Sequence, residues 1–277
     1  MSQASSTRSA MAVVAAVLAA TLLTLVPGPR PAAQPAQPAP AAPVAPVVYV
    51  LPIEGIIDLG LAPFVDRVLR DAAEAGAAAV ILDINTFGGR VDAAVQIRDS
   101  LLRSPLRTVA FVNQRAISAG ALISLSAKTI AMVQGGTIGA ATPVQAGGTG
   151  DAAAKSSEKT VSYVRKEFRA TAESRGRPPL VAEAMVDEDV VIAGVIEKGK
   201  LLTLTTAEAL KLKVADIQAD SLEALLAKLG LANATVRHVN ANWAERIVRF
   251  LTHPILSSLL VTIGMIGIIV ELRTPGF

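Results

Sequence analysis

TVAFVNQRAISAGALISLSA, residues 108–127, carries the pattern from which the architecture follows. Its first six residues are β-branched, aromatic or small and read as a buried strand, 108–113. The small triplet Ser118-Ala119-Gly120 then turns the chain into an apolar helical stretch, 118–127. Strand, tight turn and helix in that order hold the serine hydroxyl at a helix start. There the next N–H and the helix dipole both favour a developing negative charge. The triplet alone also fits an ordinary turn or an N-cap serine.

The same alternation extends to both sides. Strand-like runs at 47–51 (VVYVL), 78–84 (AAVILDI) and 129–133 are apolar but for Asp83 and Thr129. Helical spacing fills 61–75, with Phe64, Val65, Val68, Leu69 and Ala72 on one face, and 90–103, with Ala94, Ile97 and Leu101 aligned. Continuous apolar strands between helices predict an α/β fold with a parallel sheet covered on both faces. Ligands in such sheets gather at the carboxyl ends of the strands, where 85–90 and 113–120 both fall. Further on, 135–151 is rich in Gly, Ala and Thr and reads as a mobile loop. Helices are expected at 157–175, 180–185 and 221–230. Segments 190–196, 201–204 and 234–239 read as strands, and a Thr205/Glu208 capping box opens a helix over 205–211.

Both ends of the chain differ from this middle. Arg8 followed by the apolar run 10–26 reads as a signal peptide or signal-anchor, 1–26. The alternating Pro and Ala of 27–46 make a semi-rigid linker. The folded domain is expected over 47–235, and 236–277 as a juxtamembrane and membrane segment. Within it 243–250 is amphipathic, with Trp243, Ile247 and Phe250 beside Arg246 and Arg249, and suits a membrane interface. The uncharged run 254–270 reads as a transmembrane helix, with Gly264 and Gly267 as a packing face for another. The abrupt end at TPGF, 274–277, reads as a truncation before further membrane helices.

The composition narrows the chemistry. The 277 residues carry no cysteine and two histidines, His238 and His253, so thiolate chemistry, a Cys nucleophile and a Ser-His-Asp triad are all hard to build. No metal and no cofactor are expected. A net charge of +3 is too small and scattered for nucleic acid. A serine nucleophile would therefore need a lysine base, kept neutral by desolvation or neighbouring positive charge. Lys159 stands in the first turn of the 157–175 helix, where the dipole disfavours its ammonium form, and Lys155 just before it. Spacing alone does not rank the two. Lys128 is about 15 Å from Ser118 by helical rise and too far. The glycines of Phe87-Gly88-Gly89-Arg90 allow a tight turn that aims N–H groups at a ligand oxygen. If the N–H of Gly89 faces that of Ala119, the pair forms an oxyanion hole for a carbonyl attacked by Ser118. A thioester-binding site of crotonase type would use the same two donors without a nucleophile. Ser124 and Ser126 read as helix filler, and Asp83 and Asp92 as members of structural salt bridges.

Taken together these pieces resemble the membrane-bound NfeD-type serine proteases, of the larger Clp protease/crotonase fold. The resemblance covers 47–277. It rests on VYVLPIEGIID, ILDINTFGGRVDAA, AISAGALISLSA, IAMVQGGTIGAATPV, EKTVSYVRKEFRATAESRGR, LTLTTAEAL and RFLTHPILSSLLVTIGMIGIIVELRTPGF, in the family's order. It implies a Ser-Lys dyad with the serine on Ser118 and the lysine on Lys159 rather than Lys155. It places the oxyanion contacts on Gly89 and Ala119. The implied activity is an endopeptidase acting on apolar segments of membrane proteins, such as stomatin-like partners, and the implied state a dimer or larger homo-oligomer. The implied location is a bacterial-type inner membrane with the catalytic domain extracytoplasmic. Two other readings share the residues: a non-catalytic membrane scaffold of the same type, and an acyl-CoA enzyme of crotonase type. The chain departs from the family pattern at Phe87, where proline is common, and at Lys213, where glycine is usual. It also ends before the further membrane helices and small β-barrel of longer members.

Overall fold

The computed structural model describes residues 45–144, 157–252 and 254–274. The readings of 1–44 as export segment and linker, and that of Lys155, lie outside the described residues. The chain builds a mixed α/β fold around an eight-stranded sheet. Three long parallel strands form its centre: β1 (Val47–Ile57), β2 (Ala79–Gly89) and β3 (Thr108–Ile117). Helices α1 (Leu61–Glu74) and α2 (Val91–Arg103) connect them. Alternate residues of each strand enter opposite cores, which is why the strands read as unbroken apolar runs. Tyr49, Leu51, Val80, Leu82, Ala110 and Val112 face α1, α2 and the short buried helix α3 (Ala119–Ser126). Val48, Val50, Ile81, Val109 and Phe111 face the other way, with Leu225, Leu226 and Leu229 of α7 (Leu222–Lys228) and the residue after it.

All three central strands run past their apolar stretches. The sequence ends them near Leu51, Ile84 and Asn113, but pairing continues through Glu54, Asn85 and Ala116 to the site. Register shifts between Glu54 and Ile56, and between Ile84 and Thr86, bend these extensions. Beyond β3 the sheet forks. β4 (Thr129–Met132) pairs with the first half of β3, and β5 (Thr137–Gly139) with Arg115–Ile117. β5 lies inside the stretch read as a mobile loop; three residues are too few to show a period. Residues 145–156 of that stretch are outside the description.

The chain resumes with α4 (Glu158–Ser174), α5 (Pro179–Ala184), β6 (Thr203–Thr205), α6 (Thr206–Lys211) and β7 (Ile217–Gln218). β6 pairs antiparallel with β5; the other pairings are parallel. The Thr205/Glu208 capping box is present. Residues 190–196 are not a strand: they form a turn closed by one bridge, Ile192 to Ile196, with Val191 and Val195 exposed. Gly194 at φ 74° makes that turn. Lys213, at the position where glycine is usual, has φ 58°. A left-handed lysine costs about 1 kcal/mol relative to glycine there. Lys213→Gly is therefore expected to raise stability by roughly 0.5–1 kcal/mol, read from thermal unfolding. An unchanged or lower midpoint would show that the strain is absent.

β8 (Thr235–His238) closes the sheet beside β1, and α8 (Trp243–Leu251) and α9 (Pro254–Arg273) follow. α8 is amphipathic, as its sequence says, but mounted with its polar side inward. Glu245 is buried against Arg67 of α1 at 2.7 Å, and Arg249 meets Asp58 at 2.9 Å. The hydrogen bond from Arg67 holds the Glu245 carboxyl below the usual range, although burial alone would raise it. Trp243 and Phe250 are left 71% and 65% exposed. In α9, Ile255–Arg273 is long and apolar enough to cross a membrane, with mean hydropathy 2.3 and none of it buried.

Candidate active site

Ser118 stands between β3 and α3, where the sequence places it. Its backbone has φ 56° and ψ −119°, a region costly for a residue with a Cβ. Neighbours enforce it. The Ser118 N–H donates to the Gly139 carbonyl at 2.9 Å, and the Ser118 carbonyl accepts from Ala121 N–H at 2.9 Å, the first turn of α3. α3 is buried on every side, so its course is fixed by packing. Gly120 lets it approach β2: a Cβ there would lie 2.5 Å from Thr86 Cγ2. Cations hold its far end, with Arg175 Nε donating to the Ser126 carbonyl at 2.8 Å. That arrangement complements the dipole whose positive end lies at Ser118.

The second wall is the end of β2. Gly88 has φ 108°, and a Cβ on it would meet Ser118 Cβ at 2.6 Å and Oγ at 3.0 Å. Gly89 is pressed on Ile57, whose carbonyl oxygen would be 2.2 Å from an added Cβ. Thr86 fastens this corner. Its hydroxyl accepts from Gly88 N–H at 2.9 Å and donates to the Gly55 carbonyl at 2.5 Å. Phe87, at the family's proline position, is 73% exposed, and Arg115 stacks 4.6 Å from its ring centre.

Gly89, Ser118 and Ala119 line one cavity of about 80 Å³, with Leu122, Ala141, Val164 and Phe168 among its other walls. Beside it, sharing Gly89, Val91 and Val144, opens a cleft of about 680 Å³ that also touches Thr160 and Tyr163. Lys159 does not line the small cavity. It is exposed on the first turn of α4, the helix that sends Val164 and Phe168 into that cavity. The structure thus gathers three of the four expected residues, and places the fourth near the start of a shared helix.

The remaining expectations sort simply. Ser124 and Ser126 bond carbonyls of their own helix, Gly120 and Ile123. Lys128 donates to the Pro105 carbonyl at 2.6 Å beyond the far end of α3, and burial lowers its amine's pKa. Asp92 pairs with Arg90 at 2.6 Å. Asp83 instead takes its hydrogen bond from the Asn113 side-chain amide, and burial raises its pKa. The partner of Asp83 is thus an amide where a cation was expected. Two contributors escaped the sequence reading. Gly139 offers only its carbonyl, which no sequence pattern marks, and the Thr86 hydroxyl matters only through the bend it ties. No carboxylate lines the small cavity among the described residues, whereas an acid–base residue would serve the acyl-CoA reading.

A strand-end serine facing paired glycines at the rim of a forked parallel sheet is the frame on which the comparisons fall. The chain belongs to the family of the NfeD1b N-terminal domain, whose model matches residues 47–239. It is 40% identical over 230 residues to membrane protein NfeD1b of Bacillus subtilis, covering 83% of this chain and 52% of that one. It is 28% identical over 249 residues to the membrane-bound protease PH1510 of Pyrococcus horikoshii, covering 83% and 54%. The chain spans about half the length of these relatives. Among solved structures, the N-domain of the 1510 membrane-bound stomatin-specific protease, as a serine-to-alanine mutant, aligns with TM-score 0.63 at 26% identity, covering 72% of this chain and all of that one. A lysine-to-alanine mutant of that domain, in complex with a substrate peptide, aligns equally well, covering 75% and 98%.

Proposed function

We propose that this chain is a membrane-associated serine endopeptidase with a Ser118/Lys159 dyad, cleaving apolar segments of membrane proteins. The observation that carries the proposal is the strained Ser118 sharing one cavity with Gly89 and Ala119. Spacing supports the base. Ser118 and Lys159 stand 41 positions apart, and the same count separates the serine and the lysine replaced in the two protease mutants. In the reaction Ser118 Oγ attacks the peptide carbonyl carbon while the Lys159 amine takes the hydroxyl proton. The N–H groups of Gly89 and Ala119 hold the oxyanion. The amine then returns the proton to the leaving nitrogen, and water hydrolyses the acyl-serine. A bound apolar segment lying over the start of α4 supplies the desolvation that a neutral lysine needs.

A stomatin-like protein is the proposed partner, from the specificity named for the 1510 protease. A homo-oligomer in a bacterial-type inner membrane, with the catalytic domain extracytoplasmic, completes the proposal. The test is cleavage of a fluorogenic apolar decapeptide by the full chain in phospholipid nanodiscs. Ser118→Ala should lower kcat at least about 10³-fold with unchanged circular dichroism. Full activity in Ser118→Ala would overturn the reading. The scaffold reading keeps one observation in its favour, the exposure of Lys159, and it forecasts no cleavage by either protein.

A further inference from the structure

Three cavities on this molecule share walls in sequence. The Ser118 cavity shares Gly89, Val91 and Val144 with the neighbouring cleft. That cleft shares Ile56 with a third space of about 650 Å³, walled by Gly55, Phe250 and, from α9, Ile255, Leu256 and Leu259. One end of the series is therefore the serine, and the other is the helix apolar enough to cross a membrane. Ile56, 41% exposed, is the residue at which the last two spaces meet. Its strand end is tied to α8 by Arg249, which bonds Asp58 at 2.9 Å and reaches the Glu54 and Ile56 carbonyls at 3.4 and 3.3 Å. The two larger spaces are lined mostly by apolar surface, with Arg90 and Asp92 in one and Asp58 and Arg249 in the other. Exposed apolar surface costs free energy unless something apolar covers it.

Resting on the reading of Ser118 as a nucleophile, we propose that this series is the entry path of the substrate. The occupant is an apolar polypeptide segment drawn in extended form from the bilayer that holds α9, passing Phe250 and Ile56 to reach Ser118. Continuity favours this occupant over a peptide arriving from water. The outer mouth is walled by α9 itself, so it opens at the membrane surface, and the inner end stops at a residue whose chemistry acts on peptide carbonyls. A lipid chain would fill the outer space but has no amide to present to Ser118. A second copy of the chain would close the mouth to any substrate.

The test uses the full chain in vesicles of phosphatidylcholine and phosphatidylglycerol. Its probe is a fluorogenic Val/Ala/Leu decapeptide, either free or fused to a single model transmembrane helix in the same vesicle. Confinement to one bilayer raises effective concentration, so the wild type should prefer the fused probe in kcat/KM by about tenfold or more. Phe250→Asp, which places a charge in the path, should bring that ratio close to one. Trp243→Asp, on the same helix but outside the path, should keep the preference. An equal ratio in the wild type, or a ratio untouched by Phe250→Asp, overturns the proposal. Loss of the preference in Trp243→Asp as well would assign the effect to bilayer contact and overturn it too. A second measurement needs no catalysis. Ser118→Ala carrying a photo-reactive phenylalanine analogue at position 56 should crosslink to the fused probe. Crosslinks only to lipid or to another copy of the chain overturn the path. If the wild type cleaves neither probe, the peptidase reading fails, while the crosslink still decides the path.

Discussion

Lys159→Ala is expected to lower kcat for an apolar peptide about 10²- to 10⁴-fold while leaving thermal unfolding nearly unchanged. The size follows from what a positioned general base contributes. The tolerance follows from exposure: Lys159 sits on the surface turn of α4, where a substitution shifts stability by about 0.5 kcal/mol or less. Lys159→Arg separates a base from a mere charge. A guanidinium preserves the positive charge and most of the reach, but it stays protonated and cannot accept the Ser118 proton. It should be as inactive as the alanine variant. Lys155→Ala should remain close to the wild type, which decides between the two lysines that spacing left open. Steady-state kinetics on the four proteins gives the answer. Lys159→Ala retaining most of its kcat would remove Lys159 as the base and require Ser118 to be activated by another group.

Gly89→Ala is the second large effect, and its target is the fold. An added Cβ would meet Ile57 from the backbone side, with the carbonyl oxygen at 2.2 Å and the nitrogen at 2.6 Å. Neither atom is the end of a flexible side chain, so β1 and β2 would have to part. The hydrogen bond from Arg90 N–H to the Ile57 carbonyl, 2.8 Å, would be strained as well. A loss of about 3 kcal/mol or more is expected, a large part of the 5–15 kcal/mol typical of a folded domain. Gly120→Ala should be milder, because it meets a side-chain methyl rather than backbone, but moving the Thr86 methyl should still disturb the corner that the Thr86 hydroxyl ties. Gly88→Ala should strike activity hardest relative to stability, since its Cβ falls on Ser118 itself. Urea unfolding alongside kinetics orders the three. Equal stability of Gly89→Ala and the wild type would mean that the strand ends are looser than described.

The sheet centre was legible because burial on both faces leaves a plain mark: 79–84 and 108–113 are apolar but for Asp83, Thr108 and Asn113. The meeting of Gly89, Ser118 and Ala119 was legible less directly, through the rule that parallel strands present their carboxyl ends together. What stayed hidden has physical causes. Pro52, Glu54, Asn85 and Arg115 look like loop residues, yet they belong to strands that leave the core, with Glu54 exposed and the other three half-buried. The turn 190–196 was misread because Val191, Ile192, Val195 and Ile196 carry strand propensity, while Gly194 at φ 74° folds the segment back on itself. β5 was lost among glycines that reveal nothing about pairing.

The inward-facing polar side of α8 has a consequence for anyone wishing to isolate the α/β domain without its C-terminal helices. A fragment cut where the family match ends, at residue 239, would strip Asp58 and Arg67 of the guanidinium and carboxylate that neutralise them. Asp58 would then lose its counter-ion at the bend that Gly89 leans on. Carrying the fragment through Thr252 keeps both pairs, but leaves Trp243 and Phe250 as an oily outer strip. Such a protein should need detergent to stay dispersed even with its membrane span removed.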